Sequence, residues 1–150
     1  MNIELTHPLA DAADTVAEWA HAGQLDKTGH DYIEHPRRVA QRVAARLGGD
    51  HPAVIVALLH DVVEDADVSE ADLQERFGSD ITAAVLAISR TPGEDPDAYY
   101  ARVAANPLAL QVKQSDLDDN TDPDRVAQLD QATRDRLAAK YAHARQVLGL

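Results

Sequence analysis

The chain contains no cysteine, which excludes disulfides, thiolate metal sites and a cysteine nucleophile. Any metal must be held by His, Asp or Glu. Basic residues are scarce: 14 Lys and Arg stand against 26 Asp and Glu, for a formal net charge of −12. That balance, with a pI near 4.8 and no basic stripe, speaks against polymeric nucleic acid and anionic membrane surfaces as partners. A small phosphate-bearing ligand would need local cations, either a bound metal or a few placed Lys and Arg. No apolar run reaches the length of a membrane span, and the opening "MNIELTHPLADAAD" lacks a basic region followed by an apolar one, so a cytoplasmic protein is expected. There is no internal repeat, low-complexity segment or linker, and residues 1–150 are expected to form a single domain. Nothing alternates with the period of a strand over a useful length.

What is present is helical punctuation. Pro8 to Ala22 spaces Leu9, Ala12, Ala13, Val16 and Ala20 as one helix face, and "QLDKTGHDY" reads as a loop. His35-Pro36 opens a second helix with Val39, Ala40, Val43 and Leu47 on one side, ended by "GGD"; Pro52 opens a third. Ser69 is a good N-cap for "EADLQERFG", Ser79 or Asp80 for "ITAAVLAIS", and Asp95 for the helix carrying Tyr99, Tyr100 and Val103. Asn106-Pro107 breaks that helix, "LALQVKQSDLDDN" follows, and a last helix from about Thr133 aligns Leu137, Tyr141, Ala144 and Leu148. The expected fold is a compact all-α bundle of roughly six to eight helices.

The stretch "AVIVALLHDVVEDADVSE" departs from ordinary core patterning. Ala53 to Val63 is apolar on every side except at His60 and Asp61, so both should be buried. A buried carboxylate needs a cation, a metal or a shifted pKa, and neighbouring helix positions can reach one ion lying between them. Glu64 follows His60 by four residues and Asp65 follows Asp61 by four, which places two more carboxylates one turn along the same face. Such an acidic cluster opposes the helix dipole unless a cation offsets it. There the pair could orient or deprotonate a water whose pKa the ion has lowered. His35 and Asp116 are the further ligand candidates whose type and context fit. His7, His21, His30, His51 and His143 fall in a terminus, in loops or on helix surfaces, and are expected to be solvated.

In order along the chain, "AHAGQLDKTGHDYIEHPRRVA", "ALLHDVVEDADVSEADLQERFGSDI" and "LQVKQSDLDDN" resemble the hydrolase domain of RelA/SpoT-type alarmone enzymes and the single-domain small alarmone hydrolases, within the HD phosphohydrolase superfamily. The resemblance runs from about Ala20 to Asn120, and "HDVVED" with an upstream "YIEHP" is specific to this branch. The additional histidines and GYP signature of the branch that acts on cyclic dinucleotides are missing. By position, the resemblance implies that His35, His60, Asp61 and Asp116 hold one divalent ion, usually Mn²⁺. It implies that Glu64 and Asp65 activate the attacking water, that Asn120 contacts the substrate ribose, and that Lys27 lies in the substrate pocket. Two imidazoles and two carboxylates with open positions suit a hard or borderline ion.

The implied activity is a Mn²⁺-dependent (p)ppGpp 3′-pyrophosphohydrolase with a small-molecule nucleotide substrate. Three positions depart from the pattern. Asp26 stands where an arginine usually stacks on the guanine base, Leu117 stands for an arginine, and Asp119 stands for a histidine. Asp119 would bring a negative charge into a pocket that is normally cationic. Arg37, Arg38, Lys113, Arg90 and Arg102 could compensate, and Tyr99 or Tyr100 could offer a stacking face. These departures leave open the same catalyst acting on NADPH or another nucleotide, and the net charge of −12 leaves open a non-catalytic, acidic, metal-bound binding module.

Overall fold

A computed structural model describes residues 2–150. Its helical segments are α1 (Ala10–Ala20), α2 (Glu34–Leu47), α3 (Ala53–Leu59), α4 (Val62–Asp65), α5 (Glu70–Phe77), α6 (Ser79–Ile88), α7 (Pro96–Ala104), α8 (Pro107–Asn120), α9 (Pro123–Val126) and α10 (Gln131–Leu148). α4 and α9 are single turns of 4 residues, so eight longer helices carry the all-α fold expected from the sequence. Among the described residues there is no strand; an isolated bridge between Leu25 and Asp31 closes the loop that holds Lys27. No helix among them is long and apolar enough to cross a membrane.

Capping side chains fix half of the helix starts. Ser69, Asp95, Asn106, Asp122 and Asp130 each accept a hydrogen bond from a backbone N–H in the first turn they precede, satisfying donors that have no intrahelical partner. α6 differs from expectation: neither Ser79 nor Asp80 caps it. Gly78, at φ +84°, both ends α5 and leads directly into α6, a backbone region that glycine enters without steric cost.

α3 is the centre of the bundle. All seven residues from Ala53 to Leu59 are buried, and α1, α2, α6 and α8 pack around them. The apolar stripe of α2, Val39, Ala40, Val43 and Ala44, faces this hub, as do Val112 and Leu117 among the core residues of α8.

The third helix is shorter than its apolar run predicts. His60 Nδ1–H donates to the Ala57 carbonyl at 2.6 Å, so a side chain caps an acceptor at the end of α3, and regular helix stops at Leu59. Asp61, at φ −107° and ψ −2°, then leads into the turn Val62–Asp65. This break turns His60 and Asp61 inward together at the end of the central helix.

Candidate metal centre

Four side chains from three parts of the chain converge beside that break. His35 comes from the first turn of α2, His60 and Asp61 from the α3–α4 junction, and Asp116 from α8. Asp116 Oδ1 lies 2.9 Å from His35 Nε2 and 3.4 Å from His60 Nε2. Asp61 Oδ2 lies 3.1 Å from His60 Nε2 and 3.9 Å from His35 Nε2. These are the four residues the sequence nominated, brought together although His35 and Asp116 are 81 positions apart.

The orientation of His60 tests whether a cation fits. With Nδ1–H committed to the Ala57 carbonyl, Nε2 of the neutral ring presents a lone pair toward two carboxylate oxygens. This buried nitrogen has no hydrogen-bond partner. Facing acceptors of this kind need a positive charge among them, a proton or a metal ion. Burial opposes a proton on His60, yet the charges of Asp61 and Asp116 hold its pKa well above the ordinary value, another sign that the cluster seeks positive charge. The two imidazole nitrogens lie 2.9 to 3.9 Å from the two carboxylate oxygens, close enough for one ion to be shared among them. His35, His60 and Asp116 can each offer a ligand atom within 4.8 Å of the others, and Asp61 flanks them. The donor set fits a divalent ion.

The surrounding contacts orient these groups, and several were not anticipated from the sequence. Tyr32 donates its hydroxyl to Asp61 Oδ2 at 2.6 Å, and burial next to that carboxylate pushes the phenol pKa up. Lys113, buried on α8, donates to Asp116 Oδ2 at 3.0 Å, leaving Oδ1 for the imidazoles. Asn120 Nδ2 approaches Asp116 Oδ1 at 3.3 Å.

A cavity of about 310 Å³ opens over the cluster. Its lining carries Asp26, Asp61, Glu64 and Asp116, but also Lys27, Arg90, Lys113, Arg125 and Lys140. The acidic balance of the whole chain is therefore reversed at this spot. Arg90 and Lys113 lie 5.1 and 5.4 Å from the centre of the Tyr99 ring. Partial burial, then the charges of Arg90, Lys113 and Lys27, lower the Lys140 ammonium pKa to about 8. Arg125 and Lys140 were not nominated from the sequence. They belong to α9 and the last helix, and no local pattern marks them as belonging with His60.

The acidic pair is divided. Glu64 lines the cavity and accepts a hydrogen bond from the Arg90 backbone N–H; burial pushes its carboxyl pKa up. Asp65 is not among the lining residues and turns toward Gln24, with its pKa raised by burial and by Asp61. Lys27 and Asn120 both line the cavity. Of the proposed compensating cations, Arg90 and Lys113 line it, whereas Arg37 pairs with Asp14, Arg38 with Asp119 and Arg102 with Glu94. Tyr99 lines it too; Tyr100 is buried elsewhere.

Two expectations are corrected. Asp119 does not place a charge in the pocket: its side chain is 0% exposed and turns away to accept from His35 Nδ1, Arg38 and Arg125. His21 is not solvated but buried, with Nδ1 2.9 Å from Gln24 Oε1 and its ring centre 4.9 Å from that of Tyr32. Asp26 does line the cavity, but its Oδ1 holds the Lys27 loop by accepting from Thr28 N, Thr28 Oγ1 and His30 N at 2.8, 2.7 and 3.0 Å.

Among curated proteins, the chain is similar to guanosine-3′,5′-bis(diphosphate) 3′-pyrophosphohydrolases. It is 36% identical to that of Aquifex aeolicus over 112 residues, covering 69% of this chain and 16% of the relative. It is 44% identical to that of Haemophilus influenzae over 75 residues, covering 50% of this chain and 11% of the relative. The chain thus spans a small fraction of the length of these relatives. A solved structure described as a metazoan ortholog of SpoT that hydrolyzes ppGpp shares the fold, with a TM-score of 0.77 at 22% identity over 94% of this chain and 85% of that one. The profile of the HD domain matches residues 13–148, a span that includes all four converging side chains. The chain belongs to the HD-domain family.

Proposed function

We propose that residues 1–150 act as one HD-domain unit that hydrolyses the 3′-diphosphate of (p)ppGpp in the cytoplasm, with Mn²⁺ as the ion. The observation that carries this reading is the juxtaposition of His35, His60, Asp61 and Asp116 with a cluster of cations in one cavity. Buried carboxylates and imidazoles offer a place for a divalent ion, while Lys27, Arg90 and Lys140 offer counter-charges for a second phosphate group. The named activity of the curated relatives supports the same assignment.

When bound among these four residues, a divalent ion would supply Lewis acidity toward a phosphate oxygen and a lowered pKa for water. The chain supplies the rest. Glu64, with its carboxyl pKa raised by burial, accepts a proton from the attacking water at a carboxylate oxygen. The new bond joins the water oxygen to the phosphorus attached to the ribose O3′, the P–O3′ bond breaks, and O3′ leaves with a proton; the products are pyrophosphate and GDP or GTP. Asp65 supports Glu64 electrostatically from outside the cavity. Lys27 holds a phosphate oxygen, and Asn120, whose Nδ2 donates to Asp116, lines the cavity and contacts the ribose with its remaining amide atoms. Because Asp119 faces away from the cavity, one of the reasons to look beyond a guanine nucleotide falls away.

The test is turnover of the full chain with Mn²⁺ across ppGpp, pppGpp, NADPH and ordinary nucleoside mono- and triphosphates. Release of pyrophosphate from ppGpp and pppGpp supports the assignment. Hydrolysis of NADPH alone would replace the substrate, and no turnover of any member would reject the enzyme.

A further inference from the structure

The departure at Asp119 gives the metal centre an orienting group. Asp119 Oδ2 accepts from His35 Nδ1 at 2.7 Å, and the opposite ring nitrogen, Nε2, is the one that faces Asp116 Oδ1 at 2.9 Å and Asp61 Oδ2 at 3.9 Å. The carboxylate is itself held in place. Arg38 Nε donates to Oδ1 at 3.0 Å, Arg42 Nε lies 3.5 Å from the same oxygen, and Arg125 Nη1 donates to Oδ2 at 2.8 Å. His35, Arg38 and Arg42 follow the i, i+3, i+7 spacing of one face of α2, and that face addresses Asp119 on α8. The carboxylate is fully buried, so the ring has no water competing for its Nδ1 proton.

We propose that Asp119 is a positioning residue for the metal ligand His35. It fixes the tautomer with the proton on Nδ1, locks the ring plane, and thereby directs the Nε2 lone pair at the ion. The inference rests on the reading of His35, His60, Asp61 and Asp116 as a metal centre. Arg38, Arg42 and Arg125 hold the Asp119 carboxylate in place, so three guanidiniums act on the ligand through one carboxylate. Partners of this kind on metal-bound histidines typically contribute 10- to 100-fold in metal affinity.

The experiment is titration of the full chain with Mn²⁺ alone, the free ion being read by electron paramagnetic resonance, for the wild type and for Asp119→Asn and Asp119→Glu. Circular dichroism in EDTA reports whether each metal-free protein is folded. For variants that fold, the expected result is a Kd for Mn²⁺ raised about 10- to 100-fold. The glutamate variant should lose affinity too, since it keeps the charge but moves the oxygens by one methylene. A folded variant that binds Mn²⁺ within about threefold of wild type overturns the role of Asp119 while leaving the metal centre intact. A wild type that binds no Mn²⁺ overturns both. Should neither variant fold, ¹⁵N NMR of the Mg²⁺-loaded wild type decides: a His35 ring with its proton on Nδ1 supports the role, and one without it overturns the role.

Discussion

The floor and the rim of the cavity are built by opposite rules. At the floor, His35, His60 and Asp116 are buried, their outer atoms are committed to neighbouring groups, and what is left over is a knot of facing acceptors. At the rim, Lys27, Arg90 and Lys140 are exposed and line one cavity, and partial burial with the neighbouring positive charges lowers the Lys140 pKa. The floor presents ligand atoms and the rim presents positive charge. A phosphate ester held by a divalent ion would satisfy both, which is why neither half alone identifies the chemistry.

Removing a ligand should separate the two halves most sharply. His60→Ala deletes the nitrogen that faces both carboxylates and is expected to cost about 10³-fold in kcat, the upper scale for losing one electrostatic stabiliser of a transition state. Metal analysis and steady-state kinetics on the folded variant check it; unchanged turnover would break the floor's assignment. The next effect lies within the acidic pair. Glu64→Gln should lower kcat by about 10²-fold, as for loss of a general base, whereas Asp65→Asn, outside the cavity, should cost less than about tenfold. Equal losses would contradict the division of roles.

The floor was largely legible in the sequence, and the rim was not. His60 and Asp61 stood out because a histidine and a carboxylate inside an apolar run demand a reason, and the N-caps Ser69 and Asp95 follow from local chemistry that needs no tertiary context. The end of α3 at Leu59 was hidden, because it depends on a side chain reaching the Ala57 carbonyl. Asp119 was misjudged for a geometric reason: it shares a face of α8 with Asp116 but reaches the opposite nitrogen of the same His35 ring, on the side where Arg38 and Arg125 hold it, and only the tertiary packing decides that. Arg125 and Lys140 are cavity residues only because α9 and α10 return across the site, and His21 is buried only because Gln24 and Tyr32 fold over it.

Acid should dismantle the floor's outer support before the fold itself is exhausted. Burial works against a charged Asp119, yet hydrogen bonds from His35 and Arg38 hold its pKa down to about 2, against an ordinary 3.8. A depressed carboxyl pKa stabilises the folded chain above the ordinary value, and that stabilisation is lost as pH falls through about 2. The metal-free wild type should exceed Asp119→Asn in stability by roughly 2 kcal/mol more at pH 5 than at pH 2, a difference that denaturant melts at the two pH values will measure. A gap independent of pH would mean that Asp119 is not held as a charged group.

The smallest effect belongs to the rim and runs the other way with pH. Lys140 has a pKa lowered to about 8 by partial burial and by the nearby Arg90, Lys113 and Lys27. It is therefore largely charged at pH 7 and largely neutral at pH 9, while the two partners Arg90 and Lys113, whose pKa values are raised, stay charged throughout. A polyanionic nucleotide favours the charged amine, so affinity should fall as pH rises through about 8. Only about a tenth of Lys140 remains charged at pH 9, and KM for ppGpp should rise roughly threefold to tenfold between pH 7 and 9. Lys140→Gln should show the raised KM already at pH 7 and a flat KM above it, with kcat within about threefold of wild type, since the ammonium neither holds the ion nor moves a proton. If Lys140→Gln instead lowered kcat and left KM alone, the rim would be part of the reacting centre, and the contrast with the floor would fail.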